Sequence, residues 1–105
     1  SMATRADFIE FVREQVAGAC ELTFRRMFGE YAAYLDGKVV ALVCDNQFYL
    51  KPTAAGRRLL GPVTEAPPYP GAKPYLRLDA VLEDPDQLAL VLRATAAELP
   101  VPGPK

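Results

Sequence analysis

Histidine and tryptophan are missing from this 105-residue chain, cysteine occurs twice, and the only serine stands at position 1. Without histidine, and with no serine in the body of the chain, Ser–His and Cys–His nucleophilic systems are excluded. Cys20 and Cys44 are too few and too isolated for a disulfide framework or a zinc site, so both read as reduced thiols. No GxGxxG occurs, and Gly56-Arg57-Arg58 lacks the Lys-Ser/Thr ending of a phosphate-binding loop. No apolar run approaches the roughly 18–20 residues of a membrane span, and no basic-then-apolar leader opens the chain. The expected location is therefore the cytoplasm, with no membrane partner. A surplus of positive charge is also absent: the formal charge of −1 argues against a protein that binds nucleic acid on its own, because phosphate neutralisation needs extra Lys and Arg.

What remains is globular in composition, with half the residues apolar and 24% charged. The length suits one domain over residues 1–105, with Ser1 ahead of Met2 read as the remnant of a cleaved tag, residues 1–3 as a loose start and 100–105 as a frayed tail. Residues 4–19 predict a helix, capped by Thr4 with Asp7 in the reciprocal position, its stripe formed by Phe8, Phe11, Val12, Val16 and Ala19, and Gly18 helping to end it. Thr23–Leu35 alternates and reads as one long strand, bent or bulged at Gly29. Asp36-Gly37 is a two-residue hairpin signal, Val39–Cys44 the second strand, Asp45-Asn46 a second turn, and Phe48–Lys51 the third strand, stopped by Pro52. Thr53–Leu60 predicts a short helix capped by Thr53, interrupted by Gly56, with Leu59 and Leu60 turned inward. The segment from Gly61 to Pro74, with Pro62, Pro67, Pro68 and Pro70 inside it, reads as a rigid extended loop that can hold a short strand near Ala72. Tyr75–Leu78 alternates as a further strand. Asp84-Pro85-Asp86-Gln87 then supplies an N-cap, a first-turn proline and a capping-box glutamine for a last helix, with Leu88, Val91, Leu92, Thr95 and Leu99 as its stripe and Pro100 as its end.

Pairing Leu35 with Lys38 and Cys44 with Gln47 sorts the meander into two faces. Ala32, Tyr34, Val39, Ala41, Val43, Phe48 and Leu50 fall on one; Tyr31, Ala33, Leu35, Val40, Leu42, Cys44 and Tyr49 fall on the other, with Lys51 at its margin. Both faces are apolar and Val39–Cys44 does not alternate at all, so this strand must be covered twice. The pattern leaves open which face the helices take.

Candidate chemistry is sparse. Asp79, Glu83, Asp84 and Asp86 crowd one corner, where helix capping and dipole complementation explain them more simply than a divalent ion. Arg25-Arg26 adjoins Met27-Phe28, and Lys51, Arg57, Arg58, Lys73 and Arg77 are further cations, interleaved with five tyrosines. They read either as a solvated sheet margin or as a patch for an acidic partner.

The run Arg26-Met27-Phe28-Gly29, Tyr31, Tyr34-Leu35-Asp36-Gly37-Lys38 and Phe48-Tyr49-Leu50-Lys51 resembles the N-terminal domain of the TfoX/Sxy family of bacterial competence regulators. The likeness extends to Tyr75 and to Leu82-Glu83-Asp84-Pro85; where the family usually carries glycine, this chain has Glu30 and Ala32. The resemblance implies a stand-alone version of that domain without the C-terminal one. It also implies an α+β fold similar to secretion chaperones, two-layered, with an antiparallel sheet, helices on one face and the order α-β(3)-α-β(1-2)-α. It implies protein binding in transcriptional regulation and brings no catalytic residue, cofactor or metal. The expectation is a non-enzymatic protein-interaction module whose partner is another protein or a second copy in a homodimer. The residues expected to meet that partner are Arg25, Arg26, Phe28, Tyr31, Leu42, Tyr49 and Lys51. A nucleic-acid-associated protein using an Arg/Tyr patch, or a small-ligand binder, are the alternatives.

Overall fold

A computed structural model describes residues 3–102. Residues 1–2 and 103–105, where the tag remnant and the end of the frayed tail were expected, lie outside the described residues. In chain order the elements are α1 (Ala6–Gln15), β1 (Thr23–Met27), β2 (Glu30–Leu35), β3 (Lys38–Cys44), β4 (Gln47–Leu50), α2 (Ala54–Leu60), β5 (Thr64–Ala66), β6 (Tyr75–Leu78), a 3₁₀ turn (Ala80–Glu83) and α3 (Pro85–Glu98). The strands form one antiparallel six-stranded sheet in the order β1-β2-β3-β4-β6-β5, so the fold is α+β as expected.

The meander holds one strand more than the sequence pattern suggested. Thr23–Leu35 is not a bent strand but a hairpin: Met27 pairs with Glu30, and Phe28 (φ 50°) and Gly29 (φ 81°) make a two-residue turn. The next two turns repeat this left-handed pair at Asp36-Gly37 and Asp45-Asn46, as type I′ geometry requires. The order is therefore α-β(4)-α-β(2)-α. The extra strand of the proline-rich stretch is β5 at Thr64–Ala66, and Ala72 lies in the loop that follows it.

A bulge in β3 corrects the expected faces. Leu35 opposes Lys38 and Tyr34 opposes Val39, but Ala33 then opposes Ala41, so Val40 is the extra residue. Beyond it the parity of β2 against β3 reverses. Ala33, Leu35, Ala41, Val43, Phe48 and Leu50, joined by Val40 and by Leu76 and Leu78 of β6, lie in the core with α1 and α3. Ala32, Leu42 and Tyr49 face the other way in one cross-strand row.

The helices settle on the first face because their stripes are the apolar ones. Ile9, Val12 and Val16 of α1 and its following turn are buried, with Phe8 and Phe11 packed beside them; Ala19 is exposed, since Gly18 (φ 90°) has already turned the chain. Thr4 does not cap this helix. Arg5 occupies the N-cap position, while the Thr4 hydroxyl accepts the N–H of Asn46 (3.1 Å), pinning the chain start to the β3–β4 turn. Asp7 pairs with Arg5 instead (3.0 Å).

In α3, Leu88, Val91, Leu92 and Thr95 are buried, and the Asp84 carboxylate accepts the N–H of Gln87 (3.3 Å) as the capping pattern predicts. The Gln87 side chain does not complete the box: its amide donates to Leu59 O at the end of α2 (3.3 Å). At the far end Glu98 accepts the N–H groups of Ala54 and Ala55 (3.0 and 2.9 Å), so α2 is tied to α3 at both ends. Those backbone donors, Ala55 then Ala54, hold the Glu98 carboxyl below its ordinary value. Lys38 Nζ donates to Ala96 O and Leu99 O (2.7 and 3.0 Å), placing a cation on the carbonyl end of α3, where the helix dipole favours it.

Gly56 does not interrupt α2. It is buried, and a Cβ there would meet Thr53 Oγ1 at 2.9 Å, Thr95 Oγ1 at 3.5 Å and Leu50 Cδ2 at 3.7 Å, so glycine lets the helix seat against α3 and β4. Leu60 packs on the core as expected, whereas Leu59 is left 37% exposed.

Candidate interaction surface

The second face of the sheet is covered from within the chain over part of its width. Antiparallel pairing lines up Arg25, Ala32, Leu42, Tyr49, Arg77 and Thr64 across all six strands. Ala32 and Tyr49 in this row are buried, as are Cys44 on the same face and Pro68 in the proline-rich connection between β5 and β6. That connection carries Tyr69 back to Leu42 and Cys44, two strands beyond β6. Prolines suit the task, since a loop with few conformations to lose covers apolar surface at low entropic cost.

The cover stops short of β1 and the β1–β2 turn. Between Tyr69 and the hairpin tip lies a groove of about 430 Å³ with Met27, Phe28, Glu30, Tyr31, Leu42 and Cys44 on its walls. Phe28 is 99% exposed at the tip, Tyr69 55% and Met27 37%. A bulky aromatic with positive φ and no packing partner is an unusual residue for a turn, where glycine, asparagine or aspartate adopts that conformation at less cost.

The charges around the groove are fixed differently. Both Glu30 carboxylate oxygens take backbone N–H groups, from Thr4 (3.1 Å) and Asp45 (2.9 Å). Partial burial works to raise this carboxyl, but hydrogen bonds from the Thr4 side chain and from the Asp45 and Thr4 backbones, with Arg26 nearby, outweigh it and leave it below its ordinary value. Burial, then the charges of Glu30 and Asp45, push the Cys44 thiol up to about 11, so it is a neutral wall and not a nucleophile. Burial likewise raises the Cys20 thiol.

The seven residues expected to meet a partner divide by location. Arg25, Leu42 and Tyr49 share the second-face row, and Lys51, two residues on from Tyr49 and half-buried, donates its N–H to Val40 O (2.8 Å). Arg26 and Tyr31 belong to the helix-side row with Val43 and Phe48, Tyr31 packing against the core. Phe28 stands at the tip, and with Tyr31 and Leu42 it lines the groove. Each arginine of the pair lies over a tyrosine ring, Arg25 on Tyr34 at 5.2 Å and Arg26 on Tyr31 at 5.3 Å, so consecutive positions send the two cations to opposite faces.

Of the other cations, Arg57 pairs with Glu65 and Arg77 with Asp79 (3.7 Å). Burial raises the Tyr49 phenol against the pull of Arg77 beside it. Of the acidic corner, Asp84 is the α3 cap and Asp79 the Arg77 partner; among the described residues no His/Cys/Asp/Glu group could hold a metal ion and no helix is long and apolar enough to cross a membrane.

Of the groove's walls, Met27, Glu30, Cys44 and Tyr69 are absent from the partner residues that the sequence suggests. Met27 carried a signal, its place beside Phe28-Gly29. Tyr69 carried none, because it stands more than twenty residues along the chain from the sheet residues it joins.

The family model of the TfoX N-terminal domain matches residues 14–99, the span from the end of α1 to the end of α3. A protein of Spirochaeta aurantia, named "Uncharacterized 12.7 kDa protein in trpE 5'region", is 46% identical over 104 residues, covering 99% of this chain and 90% of its own length. With a family match across nearly all its elements and a relative alike along its full length, this chain belongs to the TfoX N-terminal domain family.

Proposed function

We propose that this protein is a non-enzymatic interaction module of the bacterial cytoplasm, acting in regulation as TfoX-type competence and transcription regulators do, and that it meets its protein partner through the β1–β2 hairpin tip. The observation that carries this reading is Phe28, fully exposed in a left-handed turn beside Met27, Tyr69 and an apolar groove. Such a residue contributes nothing to folding that a smaller one would not, yet aromatic anchors of this kind dominate protein interfaces. The groove supports binding and not chemistry: its carboxylate is tied up by backbone donors and its thiol is neutral. The second face that would otherwise favour a broad homodimer is partly covered by the chain's own loop, which leaves the tip as the exposed apolar element. The cations do not gather into one phosphate-binding strip, since Arg25 and Arg26 face opposite ways and Arg57 is paired.

The test is comparative capture from a lysate of the source organism, with the wild-type protein and the Met27→Ser/Phe28→Gly variant as baits and quantitative mass spectrometry as readout. A protein retained by the wild type and depleted several-fold on the variant is the expected result. Identical capture profiles from two equally folded baits would overturn the assignment of the tip.

A further inference from the structure

The two edges of the sheet are finished in different ways. At one edge β5 is three residues long, preceded by Pro62 and followed by Pro67, with its central Glu65 held by Arg57. Short, proline-flanked edges of this kind do not accept another strand. At the other edge β1 is five residues long and exposed apart from Phe24. Met27 and Glu30 flank the two-residue turn and so form a hydrogen-bonded pair, which alternation repeats at Arg25–Ala32 and Thr23–Tyr34. The N–H and C=O groups of Phe24 and Arg26 therefore point away from the sheet, and no other hydrogen bond between described residues reaches them. Beside the first half of β1 runs an open groove of about 650 Å³, with Arg13, Ala17, Cys20 and Phe24 on its walls.

We infer that β1 is a receiving edge, and that its occupant is an extended segment of a partner protein bearing two adjacent acidic residues next to an apolar one. The inference rests on the interaction-module reading above and supplies the partner's chemistry. Charge decides the occupant. Neither Arg25 nor Arg26 has a carboxylate within salt-bridge distance among the described residues; Arg58 and Arg93 also lack one, but they stand on helices and not on a sheet edge. A second copy of β1 added antiparallel in full register would set Arg25 against Arg25 and gather four guanidiniums on one short ladder, which like-charge repulsion opposes. An incoming Glu-Asp pair meets one cation on each face of the sheet, because its side chains alternate as those of Arg25 and Arg26 do. A neighbouring apolar side chain then falls beside Met27 and Phe28, at the end of the ladder where the exposed apolar surface lies. Arginines at an edge also serve to block self-pairing, but blocking alone does not call for an exposed phenylalanine at the end of the same strand.

The probe is a fluorescein-labelled octapeptide with a Leu-Glu-Asp-Val core, titrated by anisotropy and by backbone NMR, beside its Leu-Lys-Lys-Val counterpart. The acidic peptide is expected to bind, shifting the Phe24 and Arg26 amides, and the basic one not to. Arg26→Pro removes an outward N–H at an edge position where proline is tolerated, so it should keep the fold and lower affinity by about tenfold or more. Arg25→Glu/Arg26→Glu should exchange the preference to the basic peptide. Absence of acidic-peptide binding at about 1 mM, or binding untouched in a folded Arg26→Pro variant, overturns the inference while leaving the lysate result for the tip to stand or fall separately. A wild-type dimer that Arg26→Pro dissolves overturns it in favour of self-pairing.

Discussion

The inner strands β2, β3, β4 and β6 and the edge strand β1 with its turn belong to one sheet yet live in different surroundings. Val43, Phe48, Leu50, Leu76 and Leu78 are at most 1% exposed, with helices over one face and the proline-rich connection approaching the other. Four of the five β1 residues are exposed, and the turn beyond them carries the most exposed large apolar residue described. Both regions pair antiparallel, but β1 has a neighbour on one side only and, Phe24 apart, no cover over either face. Stability therefore concentrates where both faces are covered, and the capacity to bind remains where the cover ends.

The comparison breaks most clearly in the core. Phe48→Ala, at a site flanked in register by Val43 and Leu78, is expected to cost about 3–5 kcal/mol in chemical denaturation, enough to unfold a large share of a domain of this size. Gly56→Val tests the helical cover over the same strands. Its added atoms collide with the Thr53 cap oxygen and crowd Leu50, so a loss of about 1–3 kcal/mol and a lower thermal midpoint are expected. Leu42→Glu probes the border between the two regions: Leu42 is half-buried on the groove wall, and a loss of about 1–2 kcal/mol with the fold retained would place the border there. Global unfolding by this variant would instead mean that the loop seals the second face far more tightly.

Glu30 joins the hairpin to the chain start. Its carboxyl lies below the ordinary 4.5, so the folded state binds fewer protons there than the unfolded chain. The stabilisation is complete above that ordinary value and fades as pH falls through the lowered one. Glu30→Gln should accordingly flatten the acid limb of the stability–pH curve and lower stability at neutral pH by the same increment, since an amide cannot accept from both backbone donors. The smallest effect sharpens the comparison most. Phe28→Gly relieves a positive φ and removes no packing, so stability should hold or rise by up to about 1 kcal/mol while partner capture is lost.

Much of this architecture was legible in the chain. The Asp36-Gly37 and Asp45-Asn46 turns, the Asp84 cap with Pro85, the Thr53 cap and the double burial of β3 all follow from short-range rules, because turn dihedrals and helix ends are set by residues a few positions apart. Phe28-Gly29 reads in the sequence as a bend within one strand, because an aromatic there favours strand and not turn. The bulge at Val40 left no trace either: Val39, Val40 and Ala41 are all apolar, so no polar residue betrays the change of parity that reversed the faces of β2. Likewise Thr4 resembled a cap by its spacing from Asp7, but Asn46 claims its hydroxyl from across the fold.

Local spacing by itself determined that the chain is α+β, that its central strand needs two covers, and that Arg25 and Arg26 diverge. Only the packed structure decided which face the helices take, that the second cover is the chain's own proline-rich segment, and that Phe28, Met27 and Tyr69 share one rim. The reason is range: turns, caps and alternation depend on neighbours within about four residues, whereas cover is decided by segments far apart in the chain that compete for the same apolar surface.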